Sequence, residues 1–228
     1  MQINNIRVFA GKNIYSFKPV IRMEVDIGNL CEKPTCDMPG FNEYIVELFP
    51  GLKKHCCSLG YEGGFMDRLK EGTYIGHVIE HSIIELQNSL GYDVSFGKTR
   101  IYEEPSVYHI IYQYVDERCG IECGKTVINI VSDFLKDKLM DPKQFSAICD
   151  KLKKLKYESE LGPSTKAIYD EAVKRGIPVK RIGNGSILQL GLGKNIKLVE
   201  ASLTSLSSCV AVDIVSDKCL TKKILSDH

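Results

Sequence analysis

Residues 72–92 read GTYIGHVIEHSIIELQNSLGY, and the order of apolar residues in this stretch decides how the chain folds around it. Ile75, Val78, Ile79, Ile83, Ile84 and Leu86 recur at helical intervals, which predicts one apolar helix face. His77 and His81 lie four residues apart, so a helix sets both imidazoles on one side with Glu80 beside them. The resulting H-x-x-E-H order inverts the commoner H-E-x-x-H of zinc proteases. A catalytic zinc takes three protein ligands and keeps a fourth position for water, and histidines at i and i+4 supply two of the three without distorting the helix. Glu80 then has the reach of a general base toward that water and of an acid toward a leaving amine. In the plainer alternative, the two histidines pair with Glu80 and Glu85 on a solvated or half-buried face and bind nothing.

The motif supplies no third ligand. In YHIIYQYVDERCGIECGKTVINIVSDFLKDKL, residues 108–139, an alternating run that begins at Val107 and ends at Val115 gives way to a helical pattern near Asp116. A carboxylate at such a strand-to-helix junction can turn toward the first helix, and Glu117 is the preferred third ligand, with Asp116 and Glu122 as alternatives. Acidic residues in a first helical turn also serve simply as caps and dipole partners.

The chain has 228 residues, 43% of them hydrophobic, enough to bury a core in one large domain or two modest ones. Its formal net charge of +1 gives no reason to expect nucleic acid or an anionic membrane as partner. No apolar run reaches the length of a membrane span, and MQINNIRVFAGKN lacks the basic-then-apolar pattern of a secretory signal, so a cytoplasmic location is expected. Nine cysteines are present, but the pairs Cys31/Cys36, Cys56/Cys57 and Cys119/Cys123 do not make two C-x-x-C units. Reduced thiols are expected, and a structural zinc at Cys119 and Cys123 lacks an obvious second pair.

Outward from the central helix, IRVFAGKNIYSFKPVIRMEVDIG (residues 6–28) predicts strand, turn and strand, broken at 10–13. A Pro-containing loop follows to Gly40, then a helix over Phe41–Phe49, then a glycine-rich stretch with Gly60, Gly63, Gly64, Gly72 and Gly76. YDVSFGKTRIY (92–102) predicts a strand and residues 103–105 a turn. Helices are expected over about 118–139 and 142–157, the second with a Lys-rich solvated face, and 158–162 as a linker. Ser164 is a candidate N-cap for TKAIYDEAVKRG, followed by strands around SILQLGLG and SSCVAVDIVS with LGLG as a turn, and a helix start at DKCLTKKILSDH. Gly191-Leu192-Gly193 lacks the third glycine and the strand-to-helix setting of a dinucleotide fingerprint, and a β-hairpin is expected there instead. The fold class expected is α+β: residues 1–160 a mixed sheet with helices packed on one side, and 161–228 a small α/β unit.

These segments, taken in order, resemble the amino-terminal part of cyanophycin synthetases. The likeness runs from Phe49–Gln87 through FGKTR (96–100) and YQYVDERCG (112–120) to LGPSTKAIYDEAVKRGIPVKRI (161–182), SILQLGLGKNIKLVEASLT (186–204) and SDKCLTKKIL (216–225). The resemblance implies an amino-terminal domain, residues 1–160, that holds the aspartate–arginine polymer cyanophycin and in some members cuts it into primers as a zinc metallopeptidase. It also implies that residues 161–228 open an ATP-grasp ligase domain. His77, Glu80 and His81 match the family's metal motif, and Glu117 falls on the acidic pair after its tyrosine-rich strand. ATP and magnesium belong to a full-length enzyme, as do the homo-oligomers expected of it, because 228 residues contain neither the phosphate-gripping loop nor the magnesium carboxylates. His55 and Arg100 are candidate oxyanion donors. Arg68, Lys98 and Arg100, with Lys70 and Glu71, are candidates for binding a polymer that carries one carboxylate and one guanidinium per repeat.

Overall fold

A computed structural model describes residues 1–103, 106–183 and 185–226, which divide into two units, Met1–Ser159 and Glu160–His228. The first unit begins with β1 (Gln2–Phe9) and β2 (Val20–Asp26) on either side of the break at 10–13. Within the connecting turn the Asn13 side-chain oxygen accepts from the backbone N–H groups of Tyr15 and Ser16 at 2.8 and 3.0 Å, a local bond that ends the strand. Then come α1 (Phe41–Leu48), α2 (Gly64–Glu71), α3 (Ile75–Ser89), β3 (Gly97–Glu103), β4 (Val107–Gln113), α4 (Glu117–Phe134) and α5 (Pro142–Ser159). Glu104 and Pro105 of the expected turn lie outside the described residues.

The sheet order is β1-β2-β4-β3, and every pairing is antiparallel, which corrects the expectation of a mixed sheet. The short links between β1 and β2 and between β3 and β4 suit antiparallel neighbours, since parallel pairing needs a longer crossover. Side chains alternate as a period of two requires. Ile21, Met23 and Val25 of β2 and Tyr108, Ile110 and Tyr112 of β4 enter the common core with Val78, Ile79, Ile83 and Leu86 of α3. Arg22 and Glu24 stand opposite Ile111 and His109 on the other face.

The helix predicted over 118–139 ends at Phe134, and α2 forms within the glycine-rich stretch, where no helix was expected. Among the described residues no helix is long and apolar enough to cross a membrane. All nine cysteines are free thiols.

The second unit consists of α6 (Pro163–Lys174), β5 (Val179–Arg181), β6 (Ile187–Leu190), β7 (Lys197–Glu200), β8 (Leu203–Thr204), α7 (Cys209–Ser216) and α8 (Lys218–Ser226). Its four strands pair in sequence order, all antiparallel, so this unit too is α+β where α/β was expected. Gly162 rather than Ser164 is the N-cap of α6, because Pro163 takes the first helical position, where its missing N–H costs nothing. The run SSCVAVDIVS forms α7 instead of a strand; a short continuous apolar run does not distinguish the two by periodicity.

Asp116, one of the alternative ligands, accepts from the Cys119 backbone N–H at 2.8 Å and caps α4. Asp116→Ala should lower the stability of the chain by about 1 kcal/mol in a denaturant melt while leaving metal content unchanged.

Candidate metal centre

Eleven of the fifteen residues of α3 are buried, Glu80 and His81 among them. Such burial is costly for polar groups unless each has a partner, and the partners define the site. His77 Nδ1 lies 2.8 Å from Thr73 Oγ1, and Thr73 is held through Thr35, whose N–H donates to the Thr73 carbonyl at 2.7 Å. His77 Nε2 lies 3.4 Å from Cys57 Sγ. His81 Nδ1 lies 2.9 Å from His55 Nδ1, and His55 Nε2 lies 3.0 Å from Glu85 Oε2. Phe65 of α2 stacks on His81 with ring centroids 4.1 Å apart and meets His77 edge-on at 5.6 Å, so one aromatic ring fixes both imidazoles.

Glu80 accepts a 2.7 Å hydrogen bond from Thr99 Oγ1 of β3. The carboxylate lies over Gly97, where a Cβ would collide with it, so β3 approaches α3 closely because residue 97 has no side chain. The strand is held there from behind. Gln113 Oε1 accepts from the N–H groups of Ser95 and Phe96 at 3.3 Å each, and Asn88 exchanges two 3.0 Å bonds with Val94.

Cys57, His77 and His81 are the one group of three candidate metal donors among the described residues, with ligand atoms all within 4.8 Å of one another. At a tetrahedral zinc, Zn–S and Zn–N bonds of ordinary length set sulfur and nitrogen about 3.6 Å apart, close to the Cys57–His77 separation, so the donors fit the ion. Burial, with the other histidines nearby, pushes the His81 pKa down to about 3, and burial with the Arg68 charge lowers that of His77. Both imidazoles are therefore neutral, as metal ligands must be. Burial raises Glu80 to about 7, against the opposing Thr99 hydrogen bond, which suits a group that takes and returns a proton near neutrality. Cys57 has φ of 54°, a left-handed backbone rare outside glycine. It was not among the sequence candidates, since a thiol beside Cys56 and twenty residues before the motif carries no ligand-spacing signal.

An open cavity of about 570 Å³ is bordered by His55, Cys57, His77, Glu80, His81, Lys98 and Thr99. Arg68 reaches its rim, 3.5 Å from Ser58 Oγ. Arg100 stands on β3 opposite His109 and does not border the cavity. Glu117 is exposed in the first turn of α4, outside both the donor group and the cavity, and Glu122 pairs with Lys125 at 2.7 Å. Asp116 and Glu122 are thus engaged within α4, Glu117 lies apart from the donor group, and Cys57 is the third residue of that group. His55 borders the cavity, yet both its ring nitrogens are engaged within the protein.

Fold and site together define an α+β domain with a three-donor centre and an adjacent buried carboxylate. Residues 21–136 match the family model of the cyanophycin synthase-like N-terminal domain, and the chain belongs to that family. It is 36% identical to a cyanophycin synthetase of Crocosphaera subtropica and 35% identical to one of Synechocystis, each over 100% of this chain and 26% of the relative. A cyanophycin synthetase of Nostoc is 37% identical over 99% of the chain and 25% of its own length. The chain thus spans about a quarter of the length of these relatives.

Purified chain should carry about one zinc by plasma mass spectrometry. Cys57→Ala, His77→Ala and His81→Ala should each lose it, whereas Glu117→Gln should retain it.

Proposed function

We propose that residues 1–159 form a zinc-dependent hydrolase centre that cuts the amide backbone of cyanophycin into primers, within a cyanophycin synthetase that extends beyond this chain. The observation that carries this reading is the convergence of Cys57, His77 and His81 on one point beside Glu80 in an open cavity. When bound, zinc supplies Lewis acidity to water and to a scissile carbonyl. Glu80, kept largely protonation-competent near neutrality by burial, takes a proton from the attacking water and returns it to the leaving amine. Thr99 holds the carboxylate in place through the 2.7 Å bond.

An extended polymer backbone suits this site. Because β3 is an edge strand, its outer N–H and C=O groups have no strand partner among the described residues, and its first three residues border the cavity. An extended amide chain pairs with such an edge and is carried past Glu80. Lys98 and Arg68 at the rim then meet the carboxylates of the repeat.

Residues 160–228 are proposed as the opening of an ATP-grasp domain, with ATP, magnesium and a homo-oligomeric assembly belonging to the longer protein. A second reading, a polymer-holding module without chemistry, draws on the sheet face away from α3. There Arg7 stands directly opposite Arg22, and Arg100 follows on β3. Like charges in that register repel, a cost that bound carboxylates offset.

Glu80→Gln should leave zinc in place and slow cleavage of soluble cyanophycin fragments by about 100-fold or more, read by mass detection of products. Retained cleavage in that variant would overturn Glu80 as the base, and intact polymer with the zinc-loaded wild type would leave only the holding role. Arg68→Ala and Lys98→Ala should each raise KM about tenfold with little change in kcat.

A further inference from the structure

We propose that Glu85 and His55 form a positioning relay that fixes the tautomer of His81, so that the metal-facing nitrogen of His81 is Nε2. This assignment rests on the reading of Cys57, His77 and His81 as metal ligands and names two further residues that serve the same ion.

The proton inventory leads to it. A carboxylate only accepts, so His55 Nε2, 3.0 Å from Glu85 Oε2, carries the hydrogen. With its one hydrogen on that nitrogen, His55 presents Nδ1 as an acceptor, the role that a metal-bound His81 requires of it. The 2.9 Å contact between the two Nδ1 atoms is then a hydrogen bond in which His81 Nδ1–H donates. His81 Nε2 is left with its lone pair free. A metal-ligating histidine commonly has its second nitrogen fixed by a carboxylate or carbonyl, and here the carboxylate acts through an intervening imidazole.

His55 is not itself a fourth ligand in this arrangement. Two imidazole nitrogens on one tetrahedral zinc stand about 3.3 Å apart, whereas the observed separation is the length of a hydrogen bond. The donor group also closes without His55.

The pair is built into the fold rather than placed at its surface. Side-chain exposure is 13% for His55 and 15% for Glu85. The Glu85 carboxylate occupies the space in which a Cβ on residue 51 would sit, so Gly51 leaves room for it. The His55 backbone is pinned on both sides, its N–H donating to Leu52 and its carbonyl accepting from Phe65, each at 3.1 Å. Phe65 in turn stacks on His81, so both ends of the His55–His81 contact are anchored by the same residue.

The test uses the full chain loaded with cobalt(II), whose thiolate charge-transfer band reports Cys57, together with zinc affinity from chelator competition. Glu85→Ala and His55→Ala should each weaken zinc binding by about 10- to 100-fold while the cobalt band persists at saturating metal. The double variant should cost about as much as either single one, because the two residues act through one chain. His55→Gln, whose amide oxygen accepts from His81 Nδ1–H, should recover much of the affinity. Gly51→Ala should mimic Glu85→Ala without altering any polar group. Unchanged zinc affinity in Glu85→Ala, His55→Ala and Gly51→Ala would overturn the relay. Lost binding in His55→Ala alone, with Glu85→Ala and Gly51→Ala unaffected, would instead make His55 a ligand. Absence of a Cys57-dependent cobalt band in the wild type would overturn the metal reading itself, and the relay with it.

Discussion

The first unit depends on the burial of a helix that is not wholly apolar. α3 packs against the antiparallel sheet and against α4, and its aliphatic residues enter the core with those of β2 and β4. The same burial takes His81 and Glu80 out of water, to 8% and 5% exposure. Each isolated buried polar group would cost on the order of 1–3 kcal/mol or more, and the site residues His77, Glu80 and His81 each meet a polar group from outside the helix. Thr73, Cys57, His55 and Thr99 are those groups. The site is therefore the price of packing this helix into this core, and its geometry follows from where those four residues are anchored.

The anchoring comes from segments with little regular structure of their own. Between α1 and α2 the chain makes short turns in which Gly51, His55 and Cys57 face α3, and Phe65 then closes over the imidazoles. Between α3 and β3, the loop at 94–96 is tied to Asn88 and Gln113. Strand β3 is thus held at the sheet edge with Gly97 over the Glu80 carboxylate.

Much of this was legible in the sequence because it depends on periodicity. The α3 helix, the alternating β1, β2 and β4, and the pairing of His77 with Glu80 and His81 follow from spacing alone. The third donor did not. Cys57 reaches His77 only through a left-handed backbone and a chain reversal, neither of which leaves a periodic trace, whereas Glu117 offered the more familiar signal of a carboxylate at a strand-to-helix junction. The same reason explains α7: VAVDIV is apolar without a period, so its state is settled by tertiary context. The wholly antiparallel first sheet was missed because pairing direction is a property of connections and not of any one strand, whereas the hairpin around LGLG was legible from its turn residues.

His77, Glu80, His81 and Glu85 occupy positions i, i+3, i+4 and i+8 of a single helix, spread over about 12 Å of its axis. They move as one rigid body. Lengthening or shortening the surrounding loops alters access and support but keeps these four side chains in mutual register. Insertion or deletion of one residue within α3 acts differently, turning everything beyond it by about 100° and parting the upstream members of the set from the downstream ones at a stroke. The segment from 77 to 85 is consequently the part of this chain that tolerates substitution of its aliphatic residues by others of similar volume, yet does not tolerate a change in length.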